Sequence, residues 1–88
     1  MARLYNNFHL NPSTANEGYI ILKYTGEFIK KYKVSIRCGD NVVEYPLVNP
    51  EIKVPIDLGS GSYVFILYEQ ITGNKYKPIS TLIHRFNI

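Results

Sequence analysis

Cys38, His9 and His84 are the residues in this chain whose types could support covalent chemistry, a thiol activated by an imidazole. Such a pair needs the base within hydrogen-bond reach of the sulfur and a third group to orient the base. Cys38 instead closes the alternating run Tyr32, Val34, Ile36, Cys38. That places it on an apolar strand face beside Ile36, where a thiol behaves as a small hydrophobe. His84 stands two positions from both Leu82 and Phe86 and reads as a packing residue, core or half-buried. His9 lies near the N-terminus and reads as exposed. Neither histidine has a close acidic neighbour, and one cysteine offers no thiolate cluster, so no metal site is expected.

The seven carboxylates, from Glu17 to Glu69, are scattered and none is clustered. An acid–base pair of the glycosidase kind would have to be assembled in space. Asp40, between Gly39 and Asn41, and Asp57, two positions before Gly59, read as turn formers that accept bonds from nearby amides. Gly59-Ser60-Gly61 makes a poor phosphate loop, because no Lys-Ser/Thr and no helix follows it. The expectation is therefore a chain that is not an enzyme, with no catalytic residue, no cofactor and no metal.

What remains is a surplus of basic and aromatic side chains. Lys30, Lys31, Lys33 and Arg37 supply four of the ten basic residues within eight positions, and the chain holds eight tyrosines. The candidate partner-binding surface combines Lys31, Lys33 and Arg37 with Tyr68, Lys75, Tyr76 and Lys77. If Tyr68 and Tyr76 pair across the last hairpin, they form an exposed aromatic strip beside Lys75 and Lys77; plain cross-strand packing is the competing reading of the same rings. The net charge of +3 is mild. A nucleic-acid protein of this size would carry a broader basic field, so the Lys30–Arg37 segment reads first as a solvated strand face and second as a nucleic-acid surface.

The elements that must carry these residues are strands. Residues 3–10 form a first candidate, and Asn11-Pro12-Ser13-Thr14 a loop. Residues 18–25 are rich in aromatic and β-branched residues, and the apolar run Tyr19 to Leu22 suits a central strand covered on both faces. From Phe28 to Cys38 the period is two, with one buried face and one charged face of Lys31, Lys33, Ser35 and Arg37. Gly39-Asp40-Asn41 turns the chain into a strand with Val43, Tyr45 and Leu47 on one face, which ends or lies at an edge at Pro46. Residues 52–56 form a short strand whose Pro55 again points to an edge. Residues 63–68 are continuously apolar and suit a strand buried on both faces or central in a sheet. Thr72-Gly73-Asn74 makes a hairpin into a last strand, residues 75–88. No window shows a helical stripe.

Seven strands at this spacing predict an all-β fold, a single small antiparallel β-sandwich over residues 1–88. Hydrophobic residues at 45% and charged residues at 19% are globular values, and 88 residues leave a thin core. The lone cysteine excludes an internal disulfide and fits a reducing compartment. Asn6, Asn7 and His9 interrupt any signal-like apolar run, and no stretch approaches the ~18 apolar residues of a membrane span. A cytoplasmic or virion-associated protein without membrane insertion is expected.

Gly61-Ser62-Tyr63 followed by Phe65 and Leu67 resembles the start of the sixth strand of an immunoglobulin- or fibronectin-like sandwich. In those folds a tyrosine at this corner bonds back to the preceding loop. The resemblance implies that Tyr63 binds the backbone around Asp57 to Gly59; the family's disulfide and buried tryptophan have no counterpart here. Residues 29 to 79 also resemble the small β domain that precedes the catalytic domain in transglutaminase-like proteins of low-GC Gram-positive bacteria. The residues that carry this are Val54-Pro55-Ile56, then Gly59, Gly61 and Tyr63, then Tyr68-Glu69, then Gly73 with Lys75-Tyr76. These 88 residues hold no counterpart of that catalytic domain, so the resemblance implies fold and not mechanism. Small sandwich modules of this kind also resemble phage decoration, fibre-base and tail-accessory proteins. The expected function is a non-catalytic binding or assembly module, as a phage or cell-surface accessory protein, with a protein partner or self-association. The alternatives are a nucleic-acid binder using the Lys30–Arg37 face and a small phage-encoded inhibitor of a host protein.

Overall fold

In the computed structural model, which describes residues 7–87, the alternating segments form seven strands. They are β1 (Phe8–Asn11), β2 (Tyr19–Tyr24), β3 (Tyr32–Cys38), β4 (Asn41–Leu47), β5 (Glu51–Pro55), β6 (Gly61–Thr72) and β7 (Lys75–Phe86). A three-residue 3-10 turn, Ala15–Glu17, follows the Pro12 loop between β1 and β2. All pairings are antiparallel, in a three-stranded sheet of order β1-β2-β5 and a four-stranded sheet of order β4-β3-β6-β7. The chain changes sheet after β2, after β4 and after β5.

One buried cluster fills the space between the sheets. Ile20, Leu22 and Val54 come from the three-stranded sheet, and Val34, Ile36, Tyr63, Phe65 and Leu67 from the other. Each strand lends the cluster alternate residues, as a pleat requires. β2, read as a central strand covered on both faces, is central but covered on one, with Ile21 half-buried on the outward side; β6, read as buried on both faces or central in a sheet, is the central strand, with Val64 and Ile66 half-buried outward. Both strands are central in their sheets, so their outward residues lie between neighbouring strands and are shielded without a second layer.

The two tight hairpins form as their residues dictate. Gly39 and Gly73 take positive φ (61° and 51°) at the first central position of two-residue loops, the place where type II′ turns need glycine. Pro46, Pro55 and Pro78 all lie on edge strands, where a missing N–H removes no ladder bond. Several boundaries differ from the sequence reading. β3 starts at Tyr32 and not at Phe28, because residues 25–31 carry the chain from one sheet to the other. β1 extends through Asn11, while the expected strand residues 3–6 lie outside the described residues. β6 runs from Gly61 to Thr72, longer at both ends than its apolar stretch. β7 ends at Phe86, and Ile88 lies outside the described residues.

Candidate binding face

The outward side of the four-stranded sheet is built from cross-strand rows, of which Ser62 and Arg85 make the first. Val42, Arg37, Val64 and Ile83 make the second; Glu44, Ser35, Ile66 and Thr81 the third; Pro46, Lys33, Tyr68 and Pro78 the fourth; Gln70 and Tyr76 the last. At the centre, Ser35 is only 7% exposed, so this side is not the uniformly charged face that alternation predicts. Glu44 and Ile66 flank Ser35 across the two ladders and cover its small side chain.

Lys33 is the hub of this face. Its ammonium lies 3.2 Å from Glu44 Oε1, 4.5 Å from the Tyr76 ring centroid and 5.7 Å from that of Tyr68. One carboxylate and two ring faces thus surround the ammonium before any partner arrives. The two tyrosines are not directly opposite each other across the hairpin, the pairing on which the aromatic-strip reading was conditional. Tyr68 is opposite Pro78 and Tyr76 opposite Gln70, so the two rings are diagonal neighbours on one face, where the slips at Leu67/Tyr68 and Gln70/Thr72 put them. Lys33 joins the rings in place of a direct contact.

The remaining candidate residues separate. Arg37 shares the outer face but sits four residues from Lys33, roughly 13 Å along the strand. Lys31 precedes β3 and rims an open groove with Phe28, Tyr45, Pro46, Val48 and Tyr76. Val48 is 73% exposed in that groove. Lys75, opposite Thr72, is exposed at the hairpin end. Lys77 turns away from the array toward Glu69, 3.9 Å distant. Among the described residues Lys30, Lys31, Arg37 and Lys75 make no ion pair.

Three partners escaped the sequence reading. Glu44 was within reach of it, since the two-residue turn at Gly39-Asp40 fixes Ser35 opposite Glu44 and so sets Glu44 diagonal to Lys33. Glu69 and Phe28 were not. The Tyr32 hydroxyl donates toward Glu69 Oε2 and the Glu27 carbonyl, both 3.1 Å away. Burial, with Tyr24 and the Glu69 carboxylate beside it, pushes the Tyr32 phenol well above the usual tyrosine range. Phe28, Tyr24 and Tyr32 pack as a trio with ring centroids 5.1–5.6 Å apart.

Cys38 is 6% exposed, with its Sγ 3.8 Å from the Ser60 carbonyl oxygen. In the inward row of the sheet Tyr63 stands between Cys38 and His84. Two strand spacings put those residues roughly 10 Å apart, with a buried ring between them. His9 is exposed on β1 in the other sheet. The arrangement therefore supplies no thiol–imidazole contact. No group of three or more His, Cys, Asp or Glu side chains among the described residues could hold a metal ion. No helix among them is long and apolar enough to cross a membrane.

Comparison with known proteins finds no matching family model, no matching curated protein and no matching solved structure.

Proposed function

We propose that this chain is a non-catalytic binding or assembly module, an immunoglobulin/fibronectin-like sandwich that presents the outer side of its four-stranded sheet to a protein partner. The observation that carries the reading is the Glu44–Lys33–Tyr76 array. Its geometry is set in advance, and it borders the groove in which Phe28 and Val48 are exposed. Rigid aromatics beside a pre-placed cation and exposed apolar groups are the ingredients of a protein contact. The sheet orders and the Tyr63 corner support the immunoglobulin/fibronectin-like description. The likeness of residues 29 to 79 to the domain beside the transglutaminase-like catalytic domain supports an accessory role, at a cell surface or in a virion.

The same geometry weighs against nucleic acid. Lys33 and Lys77 already have carboxylate partners, and Lys33 covers the ring face of Tyr76 on which a base would stack.

Amine cross-linking and mass spectrometry on complexes isolated from the cells that make the protein test the reading. Partner cross-links at Lys30, Lys31, Lys33 and Lys75 are the expected result; cross-links confined to Lys23 and Lys53 of the three-stranded sheet would sink it. Titration with single-stranded and duplex DNA at low and moderate salt provides the second arm. A steep loss of affinity with salt is the signature of phosphate contacts and would move the assignment to nucleic acid.

A further inference from the structure

Three of the four sheet edges are guarded. β1 is only four residues long. β5 carries Glu51 and Lys53 and ends on Pro55. β4 has Pro46 within it. Short length, charges and proline are the devices that keep an edge from pairing with another chain. β7 has twelve residues, and its guards, Lys75, Lys77 and Pro78, all lie at the hairpin end. From Ser80 to Phe86 its ladder with β6 is regular, without proline or bulge. Among the described residues no backbone hydrogen bond other than that ladder involves residues 80–86. Among the described residues nothing pairs with the other side of this stretch.

This stretch is close to self-complementary. Its midpoint is Ile83, which is 68% exposed at the end of the row Val42, Arg37, Val64, Ile83. Two-fold antiparallel pairing centred there sets Ile83 against Ile83 of a second copy, Leu82 against His84, Thr81 against Arg85 and Ser80 against Phe86. No like charges face each other, and the apolar row becomes continuous from Val64 of one copy to Val64 of the other. A slip of one residue would set inward side chains against outward ones. A slip of two toward the hairpin would draw Pro78 and the bulge into the new ladder.

We propose that the protein self-associates as a two-fold dimer by antiparallel pairing of residues 80–86 of β7, which joins two four-stranded sheets into one continuous sheet. The Lys33–Tyr76 array stays uncovered on both copies, so this interface is separate from the outer-face reading above.

Sedimentation equilibrium from low micromolar to millimolar concentration reads the outcome. The average mass should rise from 10.1 kDa toward twice that value. Ile83→Lys sets two ammonium groups opposite each other and should weaken the dimer by tenfold or more. Thr81→Glu gains Arg85 of the second copy as a partner twice per dimer and should tighten it by about fivefold, an effect removed by salt. Thr81→Lys should weaken it. Val42→Lys, on the opposite edge, should leave the mass unchanged; circular dichroism establishes that each variant is folded. A chain that stays monomeric throughout overturns the proposal. So does a dimer indifferent to Ile83→Lys, one broken by Val42→Lys, or one in which the two Thr81 variants act alike. Cross-links at the outer face that persist in a monomeric protein would overturn the edge pairing alone.

Discussion

The Tyr63 hydroxyl donates to the Gly59 carbonyl oxygen across 2.6 Å. The Tyr63 hydroxyl oxygen in turn accepts the Leu58 amide N–H at 3.1 Å. Tyr63 is fully buried at the start of β6, and Leu58 and Gly59 lie in the segment that crosses from the three-stranded sheet to the four-stranded one. One side chain therefore ties the crossover loop to the core, and its ring packs edge-on to Phe86 at 5.2 Å and against Phe65 at 6.2 Å. The ring fills the core while the hydroxyl satisfies two backbone groups.

Tyr63→Phe keeps the ring and removes both bonds. Gly59 is exposed and Leu58 half-buried, so water partly replaces the hydroxyl, and the expected loss is about 1–2 kcal/mol of stability. Tyr63→Ala leaves a ring-sized cavity and should lose about 3–5 kcal/mol, enough to unfold much of a domain this small. Urea melts of the two variants measure both values. If Tyr63→Ala melts at the wild-type midpoint, the corner has no structural role.

Alkaline pH should destabilise the fold. Burial raises the Tyr32 and Tyr63 phenols above their ordinary value of 10.0. Below about pH 10 both native and unfolded chains hold these protons, and stability is independent of them. Above it the unfolded chain releases protons that the native state retains, so stability falls as pH rises, by up to about 1.4 kcal/mol per pH unit for each phenol. Melts between about pH 8 and pH 11 should show this slope, and Tyr32→Phe combined with Tyr63→Phe should flatten it. An unchanged slope in the double variant assigns the effect to other groups.

Cys38 should react with a thiol reagent only at the rate at which the native structure opens. Its sulfur is buried against the Ser60 carbonyl and forms part of the core. Labelling without denaturant should be slower by orders of magnitude than in urea, and in the regime of fast reclosing its rate tracks the stability of the domain. Rapid labelling of the native protein contradicts this.

The Lys33 array should contribute little to stability. The Lys33–Glu44 pair is half exposed, which limits it to about 0.5 kcal/mol and makes it sensitive to salt. A double-mutant cycle between Lys33→Ala and Tyr76→Ala should give a coupling of about 0.5–1 kcal/mol from the cation–ring contact. A coupling near zero would mean that the ammonium does not rest on the ring in solution.

The sequence by itself determined the strands, because strand signals act over a few residues. The Tyr32, Val34, Ile36, Cys38 alternation, the Gly-first turns at Gly39 and Gly73 and the edge placement of Pro46 and Pro55 all follow from period two and the missing proline N–H. The Tyr63 corner was legible through the likeness of Gly61-Ser62-Tyr63 to an immunoglobulin-like sixth strand, and its partners lie four and five residues away. The tertiary structure decided which outward residues meet. Lys33 reaches Tyr68 and Tyr76 only because β3 pairs with β6 across more than thirty residues of chain, and the slips in the β6–β7 ladder fix where Tyr76 falls. Ser35 alternates as a surface residue yet is covered by strands on both sides. Glu69 becomes the acceptor for Tyr32 through a contact 37 residues apart. Local periodicity assigns a side chain to a face, but its neighbours on that face depend on cross-strand register, which is set by packing of the whole core.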